Sequence, residues 1–128
     1  MKRVAWVLVA VCGLAACGGA SEGDVCLPGR QGQFACASDA EALVCEGGRL
    51  RAIACRGPAG CMESSSQVRC DVTRAQAGDA CRSEDEGKGQ CDASNVNGAL
   101  LCRTGVWAAA PCTGCNVSGG QVWCQQQQ

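Results

Sequence analysis

Apolar positions in this chain fall into short runs, and no stretch of ten or more residues carries them at the 3.6-residue period of a helix. Two segments dominate the pattern. "ALVCEGGRLRAIAC" (residues 42–55) and "ALLCRTGVWAAAPC" (residues 99–112) each set two short runs around a turn pair, Gly47-Gly48 or Thr104-Gly105. Two turn residues between runs able to pair predict a β-hairpin. "QVRCDV" and "QVWCQ" each predict a further short strand, while "SDAE" and "RSEDEGKG" read as solvated loops. The fold class predicted is small, disulfide-rich and mainly β, with two tandem modules each built on short antiparallel hairpins.

The start of the chain has a different pattern. Lys2 and Arg3 form a basic head, Val4 to Val11 is an apolar run too short to span a bilayer, and small residues follow, which is signal-peptide anatomy. Leu14-Ala15-Ala16-Cys17 resembles the lipobox of bacterial lipoproteins in all four positions. The resemblance implies that residues 1–16 are removed, Cys12 with them, and that the Cys17 thiol is lipidated. The several acyl chains of such a lipoprotein, at ~0.8 kcal/mol per buried methylene, anchor far more firmly than one. Gly18 after the cysteine implies, by the family's sorting rule, the outer membrane of a Gram-negative bacterium. Residues 17–23 then read as a lipidated cysteine and a flexible tether.

Cysteine changes the picture most. The chain has fourteen; without Cys12 and Cys17 twelve remain, an even number in a short exported chain, which reads as a disulfide framework. They fall as Cys26, Cys36, Cys45, Cys55, Cys61 and Cys70, then Cys81, Cys91, Cys102, Cys112, Cys115 and Cys124. Intervening lengths are 9, 8, 9, 5 and 8 residues in the first set and 9, 10, 9, 2 and 8 in the second. Gly23-Asp24-Val25-Cys26 matches Gly78-Asp79-Ala80-Cys81, and Gln67-Val68 matches Gln121-Val122. One six-cysteine module has been duplicated. Its copies are residues 24–71 and 78–128, joined by a short polar link at residues 72–77 across which few contacts are expected. Only the gap between fourth and fifth cysteines changes much, which a local fourth-to-fifth bond tolerates; first-to-third with second-to-sixth, or another pairing, is left for the rest. Six cysteines allow fifteen pairings.

Paired six-cysteine modules behind a lipobox, with the "C..GxW....C...GC" rhythm, resemble the Cys-rich lipoproteins of myxobacteria and related bacteria, a likeness that covers nearly the whole chain and implies no activity. A fainter likeness is to the peritrophin-type chitin-binding module, which shares a C-x-x-G turn and a later cysteine pair but not these spacings. No binding residue is carried over from it.

Charge and chemistry narrow the function. Loss of Lys2 and Arg3 from eleven basic residues leaves nine against twelve acidic ones, a formal charge of −3, and those nine are scattered singly with no stripe for nucleic acid. With no His and no Tyr, a Ser-His-Asp or Cys-His constellation is impossible, so no enzyme and no cofactor is expected. Cys112-Thr113-Gly114-Cys115 has thioredoxin-like spacing, yet no βαβ pattern surrounds it and the first module has five residues at that place. One such pair without histidine does not predict zinc. Asp92 to Gly98 ("DASNVNG") fails the register of a calcium loop and reads as a turn, and Ser83 to Glu86 reads as a solvated loop.

Two tryptophans divide by comparison of the repeats. Trp107 stands where the first module has Leu50, which suits a core position; Trp123 stands where it has Arg69, and strand alternation turns it outward with Gln121 while Val122 and Cys124 face inward. An outward Trp123 either packs between the modules or contacts a ligand, stacking on a sugar face or a partner's apolar patch. The expectation is therefore a lipid-anchored, exported, non-enzymatic interaction or structural protein of the cell envelope. It meets the membrane through its lipid and an unknown protein or glycan as partner, the alternative being carbohydrate binding through Trp123.

Overall fold

The computed structural model describes residues 19–125, apart from 28, 30, 31, 33, 66 and 120 and the side chain of Phe34. Residues 1–18, with the signal segment and Cys17, lie outside the described residues.

The first module opens with β1 (Phe34–Ser38), β2 (Glu41–Glu46) and β3 (Arg49–Ala54), an antiparallel sheet in that order, and continues with a hairpin of β4 (Cys61–Ser64) and β5 (Gln67–Cys70). The second repeats it with β6 (Gly89–Cys91), β7 (Gly98–Arg103), β8 (Val106–Pro111), β9 (Cys115–Ser118) and β10 (Gln121–Cys124). Both predicted hairpin turns form. Gly47 and Gly48 have φ of 60° and 77°, and Thr104 and Gly105 have 51° and 76°, the left-handed pair that makes the turn twist with its strands.

Duplication extends to single hydrogen bonds. Gly23 N–H donates to Leu50 O at 2.8 Å as Gly78 N–H does to Trp107 O, and Cys26 N–H donates to Gly48 O at 2.9 Å as Cys81 N–H does to Gly105 O. The isolated bridges Val25–Arg49 and Ala80–Val106 are likewise equivalent.

All twelve cysteines pair within their own modules. The bonds are Cys26–Cys45, Cys36–Cys61 and Cys55–Cys70, then Cys81–Cys102, Cys91–Cys115 and Cys112–Cys124, with Cα separations of 5.0 to 6.0 Å. First-to-third is as expected; the local fourth-to-fifth bond and the second-to-sixth bond are not. The fifth and sixth cysteines face each other across the hairpin, Cys61 opposite Cys70 and Cys115 opposite Cys124, and each is pulled to a different part of the sheet. The fifth joins the first strand and the sixth joins the end of the third. A shorter fourth-to-fifth gap only shortens the fourth-to-sixth loop, from a separation of 15 to 12.

Sulfur supplies much of the core. In the first module Ala42, Cys55 and Cys61 form a buried cluster flanked by Cys36, Val68 and Cys70. In the second, Cys81 and Cys102 are buried with Leu100, Trp107 and Ala75, and Val72 packs against them. Residues 72–77 are thus more than a polar link, because two of their apolar side chains, Val72 and Ala75, join the core of the second module. The two halves also touch. The Arg56 guanidinium donates to both carboxylate oxygens of Asp79 at 2.7 and 2.9 Å; Arg51 donates to Gly105 O at 2.8 Å and forms an ion pair with Glu46, which in turn accepts from Ser83 N–H at 2.7 Å.

The Ser83–Glu86 stretch also departs from its predicted role. Ser83–Asp85 forms one turn of 3-10 helix with Asp85 buried, its carboxylate accepting from Arg82 Nε at 2.7 Å and Lys88 Nζ at 3.2 Å. Glu86 accepts from the N–H groups of Thr104 and Gly105, bracing the hairpin turn from behind. Burial alone would raise the Asp85 carboxyl, but Arg82 and Lys88 outweigh it and hold it below the usual carboxylate range.

Candidate functional site

A groove on the described surface gathers an aromatic residue with polar ones. It is a hollow of about 530 Å³ in the second module, lined by Gly87, Lys88, Gly89, Leu101, Gln121, Val122 and Trp123. One wall is β6 with the residues before it, the floor is β7, and the other wall is β10. Alternation along β10 produces the wall: Gln121 and Trp123 are exposed, Trp123 to 60%, and Val122 between them is half-buried. Every lining residue belongs to the second module. Cys124, expected to face inward, is exposed as well.

Comparing the repeats shows how the groove arises. Gly89 pairs with Leu101 in the register where Phe34 pairs with Val44. A Cβ added at Gly89 would lie 3.3 Å from the Leu100 backbone oxygen, tight against β7, and 3.8 Å from both Leu101 Cδ1 and the Val122 Cβ, that is, between floor and wall. A side chain at this position therefore grows into the space, and glycine leaves it open. The first module has an aromatic at this place and Arg69 where the second has Trp123. Lys88 and Gly89 were missed by sequence reasoning, although the alignment of Gly89 with Phe34 was a usable signal once the register was known.

The groove's polar equipment is modest and asymmetric. Lys88 bears its ammonium at 64% side-chain exposure while touching Asp85 at 3.2 Å, and the exposed Gln121 lines the facing wall. The set can place a ring face against an apolar ligand surface and offer donors at its rim.

The other sequence motifs resolve as structure. Trp107 is 3% exposed, in the core. Asp92 accepts from Ser94 N–H at 2.8 Å and from the Ser94 hydroxyl at 2.6 Å, a side-chain-closed turn between β6 and β7; those bonds to Ser94 hold its carboxyl below the usual range. Cys112, Cys115 and Cys124, and Cys81, Glu86 and Cys102, each bring three ligand-type atoms within 4.8 Å. Their sulfurs are spent in disulfides and offer no thiolate to a metal. Among the described residues no helix is long and apolar enough to cross a membrane.

Comparison with known proteins adds nothing to these features: no protein-family model matches the chain, and neither a curated protein nor a solved structure matches it significantly.

Proposed function

We propose that this chain is an exported, lipid-anchored, non-enzymatic interaction protein of the cell envelope, held through Cys17 at the outer membrane of a Gram-negative bacterium. The observation that carries the reading is the closure of all twelve module cysteines into six disulfides, an arrangement that persists in an oxidising compartment. Anchored at residue 17 and stapled from residue 26 onward, it is a rigid element on a short leash. Cys17→Ser is expected to abolish incorporation of labelled palmitate and release the protein from the membrane fraction; a variant that still takes up the label overturns the anchor.

A second reading, carbohydrate binding at the cell wall or a chitin-like glycan, is favoured by the groove itself. An exposed indole beside an amide and an ammonium suits a ligand with an apolar ring face and a hydroxylated rim, which is the surface a pyranose presents. Pull-down on peptidoglycan and chitin is the test. Trp123→Ala and Gly89→Phe should each weaken retention by on the order of tenfold, the loss of one stacking contact. Retention that survives both substitutions, or none by the unaltered protein, sinks the glycan reading and leaves a protein partner.

A further inference from the structure

Three sulfurs from two different disulfides lie close together in the second module. Cys112, Cys115 and Cys124 have their Sγ atoms within 4.8 Å of one another although Cys115 is bonded to Cys91 and Cys112 to Cys124. Of the twelve module cysteines, Cys124 is the exposed one; its partner Cys112 is buried at 4%. The two-residue spacing from Cys112 to Cys115 allows these two to bond locally. In the first module five residues separate Cys55 from Cys61, both are buried, and Cys36 and Cys70 are half-buried.

We propose that the Cys112–Cys124 bond is a thiol-exchange site for an exported dithiol reductant, and that its opening rewires the module. A thiolate of the dithiol attacks the Sγ of Cys124, the exposed residue, forming a mixed disulfide and releasing Cys112 as a thiolate. Cys112 Sγ attacks Cys115 Sγ; the Cys112–Cys115 bond forms as Cys91–Cys115 breaks, and Cys91 leaves as a thiolate that takes a proton. The dithiol's second thiolate attacks its own sulfur in the mixed disulfide and frees Cys124 as a thiol. In sum the dithiol gives two electrons and two protons and ends as a disulfide; the module passes from two disulfides to one disulfide and two thiols.

The consequence falls on the groove. Cys91–Cys115 and Cys112–Cys124 are the bonds that tie the β9–β10 hairpin to β6 and to the end of β8. After exchange the remaining bond is local, and the wall bearing Trp123 is released from the wall bearing Lys88 and Gly89. The device would therefore regulate whatever ligand the groove takes, glycan or not.

The test treats purified full-length processed protein with equimolar dithiothreitol, quenches with acid, labels thiols with a maleimide and maps the bonds by mass spectrometry. Label on Cys91 and Cys124, a peptide bridged by Cys112–Cys115 and three intact bonds in the first module are expected. Label on Cys112 and Cys124 with Cys91–Cys115 intact overturns the proposal, as does reduction of a first-module pair before either of these, or loss of all bonds together. The double variant Cys91→Ser, Cys124→Ser should form the Cys112–Cys115 bond with the first module unchanged; free thiols at both positions also overturn it.

Discussion

The two modules share a backbone plan down to single turn hydrogen bonds, yet they differ at three places that face one another: Phe34 against Gly89, Arg69 against Trp123, and a five-residue against a two-residue spacing between fourth and fifth cysteines. All three lie where the hairpin meets the sheet. In the first module Cys55 at 2% and Cys61 at 8% exposure belong to the core itself. In the second this region is open, with a groove beneath Trp123 and an exposed Cys124. Duplication lets one copy keep the stabilising version of a junction while the other turns the same junction outward, since the first-to-third disulfide of each copy maintains its sheet independently.

The sharpest way to break this contrast is to remove equivalent bonds. Replacing Cys55 and Cys70 by Ala should cost toward the upper part of ~2–5 kcal/mol, whereas the same change at Cys112 and Cys124 should cost toward the lower part, because both members of the first pair pack in one core cluster while Cys124 is exposed. Denaturant midpoints of the two variants decide it. Equal losses would mean that both junctions are structural.

A smaller effect sharpens the boundary. A second-module fragment beginning at residue 71 should be about 1–2 kcal/mol more stable than one beginning at residue 77, since the longer one retains buried Ala75 and the packing of Val72. Thermal unfolding of the two fragments measures this, and identical curves would return residues 72–77 to the role of a mere link.

The hairpin turns offer the next comparison. Thr104 holds a φ of 51°, a conformation costing about 1–2 kcal/mol for most side chains and less for Asn, where the first module has Gly47. Thr104→Asn should raise stability by up to about 1 kcal/mol and Gly47→Thr should lower it by a similar amount. Opposite signs at the two sites, read from the same denaturation curves, are the expected result.

The least of the effects concerns the contacts between modules. Burial works against the Glu46 charge, but Ser83 N–H and the Arg51 guanidinium hold its carboxyl below the usual range; the Arg56 hydrogen bonds do the same for Asp79. Both groups are depressed on folding, so what they contribute is complete above their unfolded values, about 4.3 for Glu and 3.9 for Asp, and is lost as pH falls through the lower folded values. Hydrogen exchange at Ser83 should accelerate in that acid range while amides of β2 and β7 stay protected. Glu46→Gln should remove most of the pH dependence at Ser83.

Much of this architecture could be read along the chain because its information is local or repeated. Cysteine spacing revealed the duplication, Gly47-Gly48 and Thr104-Gly105 marked turns whose backbone needs positive φ, and period-two alternation placed Gln121 and Trp123 on one face. First-to-third pairing was among the alternatives, but the other two bonds were not legible. Spacing measures distance along the chain, whereas a disulfide requires Cα atoms within about 7 Å in space, and which strand the hairpin folds against is settled by packing. The same holds for Asp85, whose burial depends on Arg82 and Lys88 closing over it, and for Ala75, whose place in the core depends on a neighbouring Trp107. The groove is the clearest case: Gly89 is an unremarkable glycine in the sequence, and becomes an opening only because tertiary structure sets Leu101 beneath it and Val122 and Trp123 across from it.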